Sequence, residues 1–145
     1  VLAAGDPAIV ANLPYVRIDA GLYDAPGVVS RKKQLFPAVC QALRKAHARG
    51  VRIAFGTDAG VSKHGRNADE FELMQKYGMS PMETLVAATV NAADLLGIAA
   101  EAGTLEPGKR ADLIGVAGDP LADLAVLKQP PLVIQAGRVQ APPAP

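Results

Sequence analysis

The residues best able to do chemistry lie in one short run, Phe55-Gly56-Thr57-Asp58-Ala59-Gly60. A strand that ends in Asp between small residues presents a carboxylate at the C-terminal mouth of a sheet, where α/β sheets and barrels hold their ligands. Gly56 and Gly60 allow close approach of backbone or ligand. An ionised carboxylate in that place coordinates a divalent cation or takes a proton from an activated water. The competing reading is that Asp58 caps the loop after it, and Gly-Thr-Asp alone does not decide between the two. His64 follows in that loop beside Lys63, either as a contact to substrate or as a plain loop histidine. The other histidine, His47, stands among Arg44, Lys45 and Arg49 and is expected on the surface.

The elements around Asp58 must position it. Val39, Leu43 and Ala46 recur with helical spacing, with Pro37 in the first turn and Gly50 as the stop. Val51 to Asp58 then reads as a short buried strand. After a polar loop, Ala68 to Tyr77 reads as a helix with acids in its first turn and Lys76 in its last. Ser80-Pro81-Met82-Glu83 is a capping box, opening a helix whose apolar stripe is expected at Met82, Leu85, Val86 and Thr89. Asn91 is expected to cap a further short helix, Ala92 to Leu96, ended by Gly97. Earlier in the chain, Tyr15 to Ile18 reads as a short strand. Helix, strand, loop, helix is the rhythm of an α/β fold.

Beyond Gly103 the texture changes. Pro107-Gly108 and Asp119-Pro120 mark turns, and Ala111 to Val116 reads as a strand. Leu132 to Gln135 and Arg138 to Gln140 form a hairpin around Ala136-Gly137. Residues 110–116 and 132–140 are expected in one sheet, separate from the strand that carries Asp58. Glu106, Lys109 and Asp112 are read as turn and edge residues, and the Pro-rich end, 141–145, as a tail.

Composition closes off several classes. Lys and Arg number 15 against 14 acids, and no basic run exceeds Arg31-Lys32-Lys33, so no nucleic-acid partner is expected. No apolar run approaches the ~20 residues of a membrane span, so no membrane partner is expected either. The single cysteine, Cys40, excludes an internal disulfide and reads as a small core residue. The start at Val1 reads as the middle of a longer protein. No compartment signal is present, leaving a cytoplasmic default.

Taken together, several pieces form an ordered set: Gly56-Thr57-Asp58-Ala59-Gly60, His64, Glu70 to Leu73, Gly78 to Leu85, Ala87 to Ala93, and Gly103-Thr104-Leu105-Glu106-Pro107-Gly108-Lys109-Arg110-Ala111-Asp112-Leu113. In this order and spacing they resemble the C-terminal third of the amidohydrolase superfamily, in particular prolidase-like and imidazolonepropionase-like metal-dependent hydrolases. The resemblance implies an α/β fold: the C-terminal part of a metal-dependent (β/α)₈ TIM barrel over residues 1–100, and a β-sandwich segment with tail over residues 101–145. It implies a divalent metal, commonly zinc, as one or two ions. In that family a His-x-His pair on the first strand, later strand-end histidines and an Asp at the end of the eighth strand hold the metal. Asp58 matches that Asp, as metal ligand and general base, and His64 would contact substrate.

The implied reaction is hydrolysis of a C–N bond in a small-molecule amide, dipeptide or cyclic amide rather than an ordinary internal peptide bond. The chain has two histidines and no His-x-His, and a barrel of this kind needs about 250 residues. An N-terminal barrel segment is therefore a required partner, and a homo-oligomer is compatible with the reading. Two other readings stand beside it. One is a non-catalytic α/β module. The other is a phosphate-binding α/β domain using Gly56 and Gly60, although neither phosphate-loop nor dinucleotide glycine spacing is present.

Overall fold

The computed structural model describes residues 9–12, 40–57 and 65–140. Strand β1, Ile9–Asn12, pairs in parallel with β2, Ile53–Gly56, in the register Ile9 to Ile53 through Asn12 to Gly56. Parallel neighbours need a long crossover, and helix α1, which includes residues 40–48, lies between them in sequence. The sequence reading missed β1, although Ile9-Val10-Ala11 is a short β-branched run between Pro7 and Pro14. The strand expected at Tyr15 to Ile18 lies outside the described residues. The strand expected from Val51 is regular only from Ile53, because Val51 and Arg52 complete the turn out of α1.

That turn has a clear cause. Gly50 adopts φ +70°, its N–H bonds to the His47 carbonyl at 2.9 Å, and the Val51 N–H bonds to the Ala46 carbonyl at 3.1 Å. This pair closes the last turn of α1 and reverses the chain into β2. Helix α2, Asp69–Lys76, ends the same way, with Gly78 at φ +115° and the Met79 N–H on the Met74 carbonyl.

Helix α3, Pro81–Ala88, begins with the expected capping box: the Glu83 N–H donates to Ser80 Oγ, and the Ser80 N–H donates to Glu83 Oε2 at 2.7 Å. Its buried face differs from the expected stripe. Thr84 and Ala87 are buried, whereas Met82 is 53% exposed and Thr89 lies at the surface. Small side chains let α3 sit close against β2, and the larger Met82 is turned outward. Helix α4, Val90–Leu95, starts directly after Thr89. Asn91 is inside this helix rather than its cap, and its side-chain amide donates to the Ile53 carbonyl of β2 at 2.9 Å.

The core lies where these helices meet β2. Leu43 of α1, Ile53 of β2, Met74 of α2, Ala87 of α3 and Met79 between the two helices form one buried cluster, with Phe55, Leu73 and Tyr77 packed against it. Cys40 is buried, as its apolar setting in the sequence implied.

The second sheet is antiparallel in the order β3 (Leu113–Gly115), β4 (Leu132–Gln135), β5 (Arg138–Gln140), and is separate from β1–β2. Ala136 and Gly137 turn the β4–β5 hairpin with φ of 49° and 75°, as a two-residue turn with two left-handed positions requires. Between β3 and β4 a 3₁₀ helix, Leu124–Lys128, packs on α2 with Leu124 and Leu127 buried. The sequence reading had no element there.

Candidate active site

β1 and β2 run the same way, so their C-terminal ends, Asn12 and Gly56, lie together at one edge. From that edge the chain continues through Thr57, the last described residue before the loop. Asp58, Lys63 and His64, the residues singled out for chemistry, all lie outside the described residues. Around the loop the described structure is specific. Asn67 Nδ2 donates to Thr57 Oγ1 at 3.2 Å, joining the residue before segment 58–64 to one just after it. Arg66 donates through Nε at 2.9 Å and its terminal nitrogen at 2.6 Å to Asp69 Oδ2. Lys128 Nζ approaches Asp69 Oδ1 at 3.1 Å and Glu72 Oε2 at 2.7 Å.

Burial opposes ionisation of Asp69, but the hydrogen bonds to Lys128 and Arg66 outweigh it and hold the carboxyl below its ordinary value. The bond to Glu72 raises Lys128, against burial, with Asp69 adding to the rise. Phe55 of β2 stacks on Phe71 of α2 with centroids 4.7 Å apart, and Glu70 is 1% exposed.

His47 corrects the sequence expectation. It is half-buried rather than on the open surface, and its Nε2 lies 2.9 Å from Glu83 Oε1. The Ser80 backbone N–H, then His47, then the Ser80 hydroxyl hold Glu83 at about 2. This pair joins the end of α1 to the start of α3. His47 also precedes the N-terminal end of β2, opposite the edge at Gly56, so it belongs to the packing of the helices. Among the described residues no group of three His, Cys, Asp or Glu could hold a metal ion. The described part of the chain is therefore not a metal centre by itself.

The run 103–113 is structural, as expected. Gly103 adopts φ +96°, and a Cβ there would stand 2.7 Å from the Ala93 Cβ and 3.1 Å from the Thr89 carbonyl oxygen, so only glycine fits. Lys109 Nζ donates to the Ala99 carbonyl at 2.8 Å and to Thr104 Oγ1 at 2.6 Å, and pairs with Glu106 at 3.0 Å. Asp112 Oδ1 accepts from the Ala136 N–H at 2.7 Å, which fixes the β4–β5 turn. Lys109, Thr104 and Glu106 thus hold the turn ahead of β3, and Asp112 ties that turn to the second sheet.

The amidohydrolase family model matches residues 26–139. The chain belongs to the amidohydrolase family. Members of this family hydrolyse C–N bonds, and the wider superfamily, whose fold is the TIM barrel, is generally metal-dependent. A crystal structure of a Xaa-Pro dipeptidase with methionine bound in its active site is 43% identical, with a TM-score of 0.73 over 77% of this chain and 27% of that one. The imidazolonepropionase of Deinococcus deserti is 33% identical over 127 residues, 86% of this chain and 27% of the relative. An uncharacterized protein of Mycobacterium bovis is 36% identical over 132 residues, 90% of this chain. The amidohydrolase chain spans about a third of that relative, 34% of its length.

Arg66, Asn67, Asp69 and Lys128 are residues of the described structure near Thr57 and the start of α2 that sequence reasoning had not singled out. The i, i+3 spacing of Arg66 and Asp69 was a usable signal. Lys128 was not legible, since its partner Glu72 is 56 residues away.

Proposed function

We propose that this chain is the C-terminal part of a metal-dependent amidohydrolase. Residues 1–100 would complete a (β/α)₈ barrel and residues 101–145 contribute to a β-sandwich, with the remaining barrel strands supplied by sequence outside this chain. The observation that carries the reading is the parallel β1–β2 pair, whose C-terminal edge leads into Thr57-Asp58 in a chain of the amidohydrolase family. Ligand sites of barrels form at that edge.

In this reading Asp58 is the carboxylate that helps hold a divalent ion, zinc being the usual one, and that takes the proton of the attacking water. When bound, such an ion acts as a Lewis acid that makes water nucleophilic near neutral pH. His64 contacts the substrate. The further ligands come from the rest of the barrel, because catalytic zinc sites use three protein ligands and Asp58 is the one ligand this reading assigns to the chain. The likeness to a Xaa-Pro dipeptidase and to imidazolonepropionase supports a small amide, a dipeptide or a cyclic amide as substrate class.

The test is a hydrolysis screen on full-length protein depleted of metal and then reloaded with zinc. The panel comprises Xaa-Pro dipeptides, N-acyl amino acids and a cyclic imidazolone. The expected result is turnover of at least one class that disappears on depletion and returns on reloading. Turnover that is indifferent to depletion would overturn the metal-dependent reading.

A further inference from the structure

The parallel pair β1–β2 has two faces, and the packing of β2 tells them apart. Ile53 belongs to the buried cluster shared with α1, α2 and α3, and Phe55 packs on that cluster and stacks on Phe71 of α2. These two residues define the helix-facing side. Successive strand residues alternate between faces, so Ala54 and Gly56 belong to the other side, which in a barrel wall is the inner one. The ladder pairs Val10 with Ala54 and Asn12 with Gly56, and residues paired across a ladder share a face. The register therefore places Asn12 on the face away from the helices, at the C-terminal edge of the sheet. Strand β1 is apolar up to Asn12, and Asn is depleted in strands. Beside it Gly56 brings no side chain, and a glycine in a strand often marks a place where a ligand approaches closely.

Resting on the reading that the active site lies at this edge, we infer that Asn12 is a substrate-binding residue of that site. Barrel enzymes draw the residues of their sites from the ends of several different strands, and Asn12 adds β1 to the strand that leads toward Asp58. A carboxamide carries two N–H donors and one acceptor oxygen without a charge. It suits the carbonyl or carboxylate oxygen of a small dipeptide-like amide, and it binds such a group without competing for a cation as a carboxylate would. The rival role is local: Asn also suits a turn, and Leu13-Pro14 follows it. Aspartate serves a turn as well as asparagine does, but it lacks the N–H donors and adds a negative charge. Substitution by Asp therefore separates the two roles.

The experiment uses the full-length enzyme and three variants, Asn12→Asp, Asn12→Ala and Asp58→Asn, on the best substrate of the hydrolysis screen. The readouts are kcat, KM, bound metal and thermal midpoint, with turnover measured well below the midpoint. Asn12→Asp and Asn12→Ala are each expected to lower kcat/KM about 10- to 100-fold, the loss of one hydrogen bond to a charged or polarised group. Metal content should stay near wild type in both, and the midpoint of Asn12→Asp should not move. Normal kcat/KM in Asn12→Asp, with a lower midpoint and reduced activity only in Asn12→Ala, would overturn the inference and leave a turn residue. If Asp58→Asn is inactive while both Asn12 variants turn over normally, the inference about Asn12 alone falls. If Asp58→Asn keeps normal turnover while the Asn12 variants are impaired, the assignment of Asp58 falls and that of Asn12 stands.

Discussion

Glu83→Gln removes one negative charge from the start of α3 while keeping an acceptor for the Ser80 N–H. In the structure that carboxylate accepts from the Ser80 N–H at 2.7 Å and from its hydroxyl at 2.8 Å, and meets His47 at 2.9 Å. Its pKa falls from 4.5 to about 2. That fall of roughly 2.5 units would correspond to about 3.4 kcal/mol at 1.36 kcal/mol per unit. The Glu83 side chain is 49% exposed, and solvent screening at such a site cuts the figure to ~1 kcal/mol.

A depressed folded pKa contributes stability that is complete above the unfolded value, and it is lost as pH falls from about 4.5 toward about 2. Denaturant unfolding of the full-length protein at pH 7, 4 and 2.5 measures it. Wild type should exceed Glu83→Gln by ~1 kcal/mol at pH 7, with the gap shrinking steadily below pH 4.5. A gap equal at pH 7 and 2.5 would show that the charge of Glu83 contributes nothing and that packing explains the variant. A gap that widens on acidification would give the linkage the wrong sign.

Two further substitutions test the frame around the site. Gly103→Ala forces a left-handed residue and drives a Cβ to within 2.7 Å of Ala93. Backbone strain and overpacking together should cost ~2–4 kcal/mol, read as a lower unfolding midpoint in denaturant. Ala136→Asn places a residue that tolerates φ of 49° at the first turn position. It should raise the thermal midpoint slightly, worth ~0.5 kcal/mol, and a lower midpoint would mean that the turn is not strained at Ala136.

Local signals in this chain were legible, and long-range ones were not. Ser80 and Glu83 encode their own geometry within one turn, and Gly50 and Gly78 stop their helices through backbone freedom alone, so all four follow from sequence. The β4–β5 hairpin follows from alternation around Ala136-Gly137. The buried face of α3 was misread because hydrophobicity ranked Met82 above Thr84. Close packing on β2 favoured the small residues, and Thr84 keeps its hydroxyl satisfied by donating to the Pro81 carbonyl at 2.7 Å. Asn91 was read as a cap because Asn suits caps, but its partner is a strand carbonyl 38 residues away. The 3₁₀ helix at Leu124–Lys128 was invisible for a similar reason: its two buried leucines and Lys128 acquire meaning only against α2. Near the candidate site, strand β2 was legible, whereas its parallel neighbour β1, the Asn67–Thr57 bond and the Lys128 contacts with α2 emerge only in the folded chain, and Asp58 lies outside the described residues.

The central claim is that Asp58 carries the chemistry, and Asp58→Asn in the full-length protein tests it most directly. The substitution keeps the shape and removes the ionised carboxylate. Measured by kcat on the best substrate of the hydrolysis screen, turnover should fall at least ~10²-fold, with the thermal midpoint unchanged within a few degrees. Near-normal kcat in that variant would contradict the account and move the chemistry to other residues.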